Sequence, residues 1–189
     1  MSSTFEEYIH KIQQNITKIL SRPCQTALAN DILDSDDDRA SLSICLRMKQ
    51  LQMKYGEIWQ MVIGEYEGFT NLGVGHESGL DVLSIKNKMI FEIKNHHNTD
   101  NASSRKSNLD KLIKYKRNNP GFRGVYGIVN DRIPNGICKK LFHDDEEIEY
   151  YSGDKLFTLV FGDRKDDVIT VVKKAVQDYK RTLIYTPPI

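Results

Sequence analysis

The stretch GLDVLSIKNKMIFEIKN, residues 79–95, decides how this chain is read. Two apolar segments, Leu80 to Ile85 and Lys88 to Lys94, flank a tight polar turn at Lys86-Asn87. That is the pattern of a β-hairpin. Strand alternation puts Glu92 and Lys94 on one face and turns Ile93 to the other. Pairing of the two strands brings Asp81 opposite the end of the second, close to Glu92 and Lys94. Two carboxylates and an ammonium then converge at a sheet edge, a candidate metal site with a lysine beside it.

The rest of the chain bounds what such a site can belong to. A length of 189 residues predicts a single domain, with a helical N-terminal part over residues 1–64 and an α/β core over 65–189. Hydrophobic residues make up 39% and charged residues 28%, the balance of a soluble globular protein. No apolar run approaches the roughly 20 residues of a membrane span, so no membrane association is expected. The start, MSSTFEEYIHK, is acidic and amphipathic and does not read as a secretory signal. Cys24, Cys45 and Cys138 are dispersed and odd in number, which favours free thiols and a cytoplasmic setting. A net charge of +1 neither demands nor excludes a polyanionic partner, but its distribution is uneven. Acidic runs lie at Asp34 to Asp38 and Asp144 to Glu149, whereas Lys94 to Arg117 is strongly basic.

Apolar spacing predicts an amphipathic helix over residues 4–20, a second over Cys24 to Leu33, and a third over 39–64 interrupted near Gly56. The DSDDD run is expected as a solvated loop that caps the third helix through Ser35 or an aspartate. Glycine-rich residues 66–79 predict a loop or irregular strand. After the hairpin, HHNTDNASS reads as a polar linker and Arg105 to Arg117 as a helix ended by Asn118-Asn119-Pro120-Gly121. Phe122 to Asn130 and Lys155 to Gly162 read as strands, and Asp163 to Arg181 as a helix with Val168, Val172 and Tyr179 inward. The order predicts an α/β fold, a mixed four- to five-stranded sheet flanked by helices.

On chemistry alone, a hard cation such as Mg²⁺ requires oxygen ligands. Asp81, Glu92 and the backbone carbonyl of Ile93 can supply three, with Lys94 placed to stabilise a pentavalent phosphorane or to orient water. The bland alternative is an exposed cross-strand salt bridge. It is weakened by the apolar setting MIFEI, where an unneeded charge pair is costly.

The hairpin resembles the core of the PD-(D/E)xK nucleases, with Leu80 in place of the proline. More specifically, the glycine-rich lead, Gly79-Leu80-Asp81, Glu92-Ile93-Lys94-Asn95, His97-Asn98-Thr99, Ser103-Ser104-Arg105, the lysine-rich helix and the Pro-Gly turn resemble one group of type II restriction endonucleases. Members of that group cut GG(N)CC-type sites. The similarity covers roughly residues 56–130. It implies a restriction-endonuclease-like core, Asp81 and Glu92 as metal ligands, Lys94 as the catalytic lysine, and Mg²⁺ as cofactor. It also implies a fourth carboxylate from the preceding helix, for which Glu57 is the best placed, with Glu77 a competitor. The partner is expected to be double-stranded DNA, and a palindromic target calls for a two-fold symmetric homodimer. Adjacent His96 and His97 lack a third soft ligand and do not read as zinc. Asn95, His97, Asn98, Thr99, Ser103, Ser104, Arg105, Lys106, Lys111 and Lys114 are expected to contact phosphates and base edges. A repair or junction-resolving nuclease with the same core, and a non-catalytic DNA-binding protein of that fold, are the alternatives.

Overall fold

A computed structural model describes residues 4–23, 36–97 and 100–185. The helix expected over Cys24 to Leu33 and the cap at Ser35 lie outside the described residues. In chain order the elements begin with α1 (Phe5–Leu20), α2 (Asp36–Gly64), β1 (Thr70–Asn71), β2 (Val82–Ser84), β3 (Met89–His96) and α3 (Ala102–Asn118). They continue with β4 (Arg123–Asn130), β5 (Cys138–His143), β6 (Glu146–Ser152), α4 (Gly153–Phe161), a 3₁₀ turn (Gly162–Arg164) and α5 (Lys165–Tyr185). One six-stranded mixed sheet runs in the order β1-β2-β3-β4-β6-β5. It has more strands than the four or five expected, within the expected class.

Strand alternation sorts the sheet into two faces. Met89, Phe91, Ile93, Val125 and Val129 pack into a core shared with α1, α2, α4 and α5. Ile90, Tyr126, Ile128, Ile148 and Tyr150 pack on the other side beneath Leu109, Leu112 and Ile113 of α3. Helices on both faces cover the parallel centre, where β3 pairs with β4 and β4 with β6. The crossover from β3 to β4 is α3, as a parallel connection requires.

The N-terminal helix forms as its spacing predicts. Thr4 and Glu7 make a reciprocal capping box, and Tyr8, Ile12, Ile16, Ile19 and Leu20 are buried. Tyr8 Oη donates to the Val62 carbonyl at 2.8 Å and Tyr179 Oη to the Leu20 carbonyl at 2.9 Å, which ties α1 to α2 and α5.

Four local expectations are corrected. Asp36 to Asp38 belong to α2 rather than to a loop, and α2 runs through Gly56 without a break. A mid-helix glycine costs only about 1 kcal/mol. The burial of Ile58, Met61, Val62 and Ile63 outweighs it. The HHNTDNASS linker is shorter than read, because β3 extends to His96 and α3 starts at Ala102 under an Asn101 cap. Lys155 to Gly162 is a helix, not a strand. A short apolar run does not declare its period, and the buried set Leu156, Phe157, Val160 and Phe161 has helical spacing. Beyond these four, the acidic run at Asp144 to Glu149 forms the turn and the start of the second strand of the β5–β6 hairpin. Asp144 and Asp145 take φ of 47° and 62°, the left-handed pair of a two-residue hairpin turn. Ile148, Tyr150 and Ser152 are buried alternately in β6.

Candidate functional site

The expected hairpin forms, with Val82 opposite Phe91, Leu83 opposite Ile90 and Ser84 opposite Met89. Asp81 continues past the end of β2. Its backbone N–H donates to the Phe91 carbonyl at 3.0 Å, and its carboxylate accepts from the Ile93 N–H at 2.7 Å. One residue therefore locks the strand end and aims its carboxylate along β3. Glu92 and Lys94 lie on the α3 side of the sheet, and Lys94 Nζ sits 2.7 Å from Glu92 Oε1.

Burial sets the electrostatics. Glu92 is only 3% exposed, and its Oε2 has no hydrogen-bond partner among the described residues. An orphaned carboxylate oxygen in that position is costly unless something else satisfies it. Burial pushes the Asp81 carboxyl up to about 7, and the charge of Glu92 adds to the rise. The Ile93 N–H, Lys94 and Lys111 pull the other way. Burial works against the Lys94 ammonium, but the Glu92 charge and hydrogen bond, then Asp100 and Asp81, hold it above its ordinary value. Two acidic side chains that repel each other, one of them with a free oxygen, are a donor set that a divalent cation fits. Asp81 Oδ, Glu92 Oε2 and the Ile93 carbonyl are the oxygens available to it.

Two residues of this site went unnoticed in the sequence. Asp100, in the loop before α3, lies with Oδ1 3.7 Å from Lys94 Nζ. Its other oxygen accepts from the Tyr126 hydroxyl and from Asn108 Nδ2, the latter at 3.2 Å. Asp100 is thus a second carboxylate beside the Lys94 ammonium, at a longer distance than Glu92. The signal available was an acid within a basic segment, six residues after Lys94. Tyr126 became identifiable only through the register that sets it beside Glu92. Its hydroxyl is held protonated well above the ordinary range by burial and by Asp100.

The remaining candidates divide. Glu57 is engaged by Arg22, whose Nη1 lies 2.7 and 2.8 Å from its two oxygens. Glu77 is exposed in the loop before β2. Asn95 is buried, its side-chain oxygen accepting from Asn130 Nδ2 at 2.8 Å, so it faces inward. His97 is exposed at the end of β3, while Asn98 and Thr99 lie outside the described residues. Ser103, Ser104, Arg105, Lys106 and Lys114 are exposed on α3. The Ser104 N–H is already taken by the Asn101 cap at 2.8 Å, and the Arg105 guanidinium lies over the Tyr126 ring at 5.8 Å. Lys111 Nζ donates to Asn108 at 3.2 Å beside Gly79. A groove of about 550 Å³ opens there between the His76–Gly79 loop and α3, lined by Lys111 and Lys114. Further along α3 the basic run is engaged by a neighbouring hairpin. Lys116 and Arg117 reach Glu146 of the β5–β6 hairpin at 3.2 and 3.4 Å.

A second set of metal-ligating groups, Asp110, His143 and Asp144, lies within 4.8 Å on the surface. His143 Nε2 and Asp110 Oδ1 already satisfy each other at 2.6 Å.

A family model described as Eco47II restriction endonuclease matches residues 46–179. The chain belongs to this family. The match spans α2 through most of α5, so the Eco47II restriction endonuclease family resemblance extends well past residues 56–130 on both sides. Among curated proteins, the type II restriction enzyme Sau96I of Staphylococcus aureus is 35% identical over 128 residues. That alignment covers 61% of this chain and 48% of the relative. The chain therefore spans about half the length of the curated relative it matches. No helix among the described residues is long and apolar enough to cross a membrane.

Proposed function

We propose that this chain carries the catalytic core of a Mg²⁺-dependent type II restriction endonuclease, which hydrolyses double-stranded DNA at a short palindromic site of the GG(N)CC type. The observation that carries the reading is the buried Oε2 of Glu92 beside Asp81, without a partner among the described residues, with Lys94 on the other oxygen. Family membership supplies the reaction class. Residues 1–64 and 65–189 act as one nuclease domain in this reading, the first as helical support and the second as catalytic core.

Asp81, Glu92 and the Ile93 carbonyl would hold Mg²⁺. A cation there supplies charge stabilisation to the phosphate and to the leaving 3′-oxygen. Lys94, braced by Glu92 and Asp100, orients the attacking water and balances charge building on the phosphoryl oxygens. Water adds to phosphorus, the bond to the 3′-oxygen breaks, and the products carry a 5′-phosphate and a 3′-hydroxyl. Exposed Arg105, Lys106 and Lys114, with Lys111 in the groove, provide the positive edge that tracks the DNA backbone. A palindromic target is met by a homodimer, for which the N-terminal helices offer the interface.

Plasmid DNA incubated with and without Mg²⁺ tests the reading, alongside Asp81→Ala and Lys94→Ala. Discrete bands are expected only with metal and wild-type protein, and run-off sequencing then reads the site. Cutting falls roughly a hundredfold or more in either variant. Cleavage confined to branched or damaged substrates would sink the restriction reading. No cleavage of any substrate removes the enzyme reading altogether.

A further inference from the structure

The loop 131–137, between β4 and β5, is built for a task that the chemistry above does not use. Strand β4 runs parallel to β3, with Lys94 beside Ile128 and His96 beside Asn130. The loop therefore leaves the sheet at the same end as the Asp81–Glu92–Lys94 site. Its root is tied to that site, because Asn130 Nδ2 donates to both the carbonyl and the side-chain oxygen of Asn95, next to Lys94. Arg132 follows Ile128 by four residues, an along-chain reach of at most about 14 Å. That is roughly four base-pair rises at about 3.4 Å each.

The base of the loop is fixed. The Asp131 carboxylate accepts the Arg132 N–H at 2.6 Å, the Ile133 N–H at 3.5 Å and the hydroxyl of Ser152, which is fully buried. The same Ser152 hydroxyl accepts the Ile137 N–H at 2.9 Å, and the Ser152 N–H returns to the Ile137 carbonyl at 2.9 Å. Gly136 has φ of 65° and passes so close that a Cβ would stand 1.9 Å from the Ser152 carbonyl oxygen. No residue but glycine fits there. The Ser152 hydrogen bond, against a smaller cost of burial, holds the Asp131 carboxyl below its ordinary value. The two loop N–H groups and then His97 assist.

The tip is the reverse of the base. Arg132, Ile133, Pro134 and Asn135 are exposed. Neither the Arg132 guanidinium nor the Asn135 carboxamide finds a partner among the described residues. A loop pinned at its root by these hydrogen bonds, with a planar donor fork at its tip, has the form that base readout requires. Arginine pairs bidentately with the N7 and O6 acceptors of guanine in the major groove.

We infer that loop 131–137 is a sequence-reading element, in which Arg132 contacts a guanine edge of the target duplex and Asn135 contacts the neighbouring base. The inference rests on the nuclease reading for its ligand, double-stranded DNA. Its test measures binding rather than cutting. Full-length wild-type, Arg132→Ala and Asn135→Ala proteins select from a random duplex library in Ca²⁺, and affinities are measured for the selected site and for an unrelated duplex. Wild type enriches a motif containing guanine. Arg132→Ala loses preference at one guanine pair and binds the wild-type site about 5- to 100-fold more weakly, with unrelated duplex changed by no more than about twofold. Replacing that guanine by 7-deazaguanine weakens wild type and leaves Arg132→Ala unmoved. Three results overturn the inference: no motif for wild type, an unchanged motif for Arg132→Ala, or an equal loss on every sequence, which marks a phosphate contact. A wild type that enriches a motif but cuts nothing removes the nuclease reading and leaves this one standing.

Discussion

The sheet carries two charged hairpins, and they use their charges in opposite ways. On the β5–β6 hairpin each acid of β6 finds a base. Glu146 meets Lys116 and Arg117, Glu147 meets Lys140 at 2.8 Å, and Glu149 takes Arg123 at 2.5 Å. Most of these side chains are partly exposed. On the β2–β3 hairpin buried Glu92 and half-buried Asp81 repel each other, and one oxygen of Glu92 has no partner among the described residues. Paired surface charges trim an edge strand and settle its register. Buried charges left in conflict cost stability and persist where a site requires them.

Breaking the conflict at its centre has the largest expected effect. Glu92→Gln keeps the shape but removes the charge that faces Asp81. Mg²⁺ at ten times its Kd stabilises the wild type by about 1.4 kcal/mol, and this gain vanishes in the variant. Thermal melts with and without Mg²⁺ read it directly, and plasmid cleavage falls roughly a hundredfold or more in parallel. A Glu92→Gln protein that keeps the full Mg²⁺ shift places the cation elsewhere, for which the surface trio Asp110, His143 and Asp144 is the candidate.

The next effect concerns pH. Asp81 is raised from an ordinary 3.8 to about 7, so the folded chain holds a proton that the unfolded chain releases. Its contribution to stability is complete below about pH 4 and is lost as pH rises through about 7. Carboxylates such as Glu149, held below their ordinary value by Arg123, have the opposite slope. Denaturant melts of metal-free wild type and Asp81→Asn at pH 5 and pH 8 separate the two. The variant gains relative to wild type as pH rises. An identical pH profile for both proteins contradicts the burial argument at Asp81.

The smallest effect sharpens the contrast from the other side. Glu149→Gln breaks the Arg123 pair at the β4–β6 seam and costs about 0.2–1 kcal/mol. Cleavage stays within about twofold of wild type. A loss of cutting comparable to that of Glu92→Gln erases the distinction between the two hairpins.

Much of the site was legible because its information is local. Gly79-Leu80-Asp81, the Lys86-Asn87 turn and Glu92-Ile93-Lys94 carry their geometry in strand period and turn chemistry. The partners of that site were not legible. Asp100 comes to Lys94 only because β3 ends at His96 and α3 starts at Ala102. Tyr126 comes to Asp100 only through the register of a parallel pair, which no local pattern encodes. Glu57, the most helix-like candidate for a fourth acid, turns out to be committed to Arg22, a residue far away in sequence.

By itself the sequence determined the hairpin, its three charged residues and the face that Glu92 and Lys94 share. It also determined the amphipathic helices α1 and α5, since each follows from the spacing of side chains along one segment. The tertiary structure decided what the charges experience. The sheet and α3 bury Glu92, strand its Oε2 and raise Asp81, and burial depends on what packs above a residue rather than on its neighbours in the chain. It also turned the apolar run at Leu156 to Phe161 into a helix. Among the described residues, it set Arg132, with no partner for its guanidinium, on a loop at the same end of the sheet as Asp81, Glu92 and Lys94.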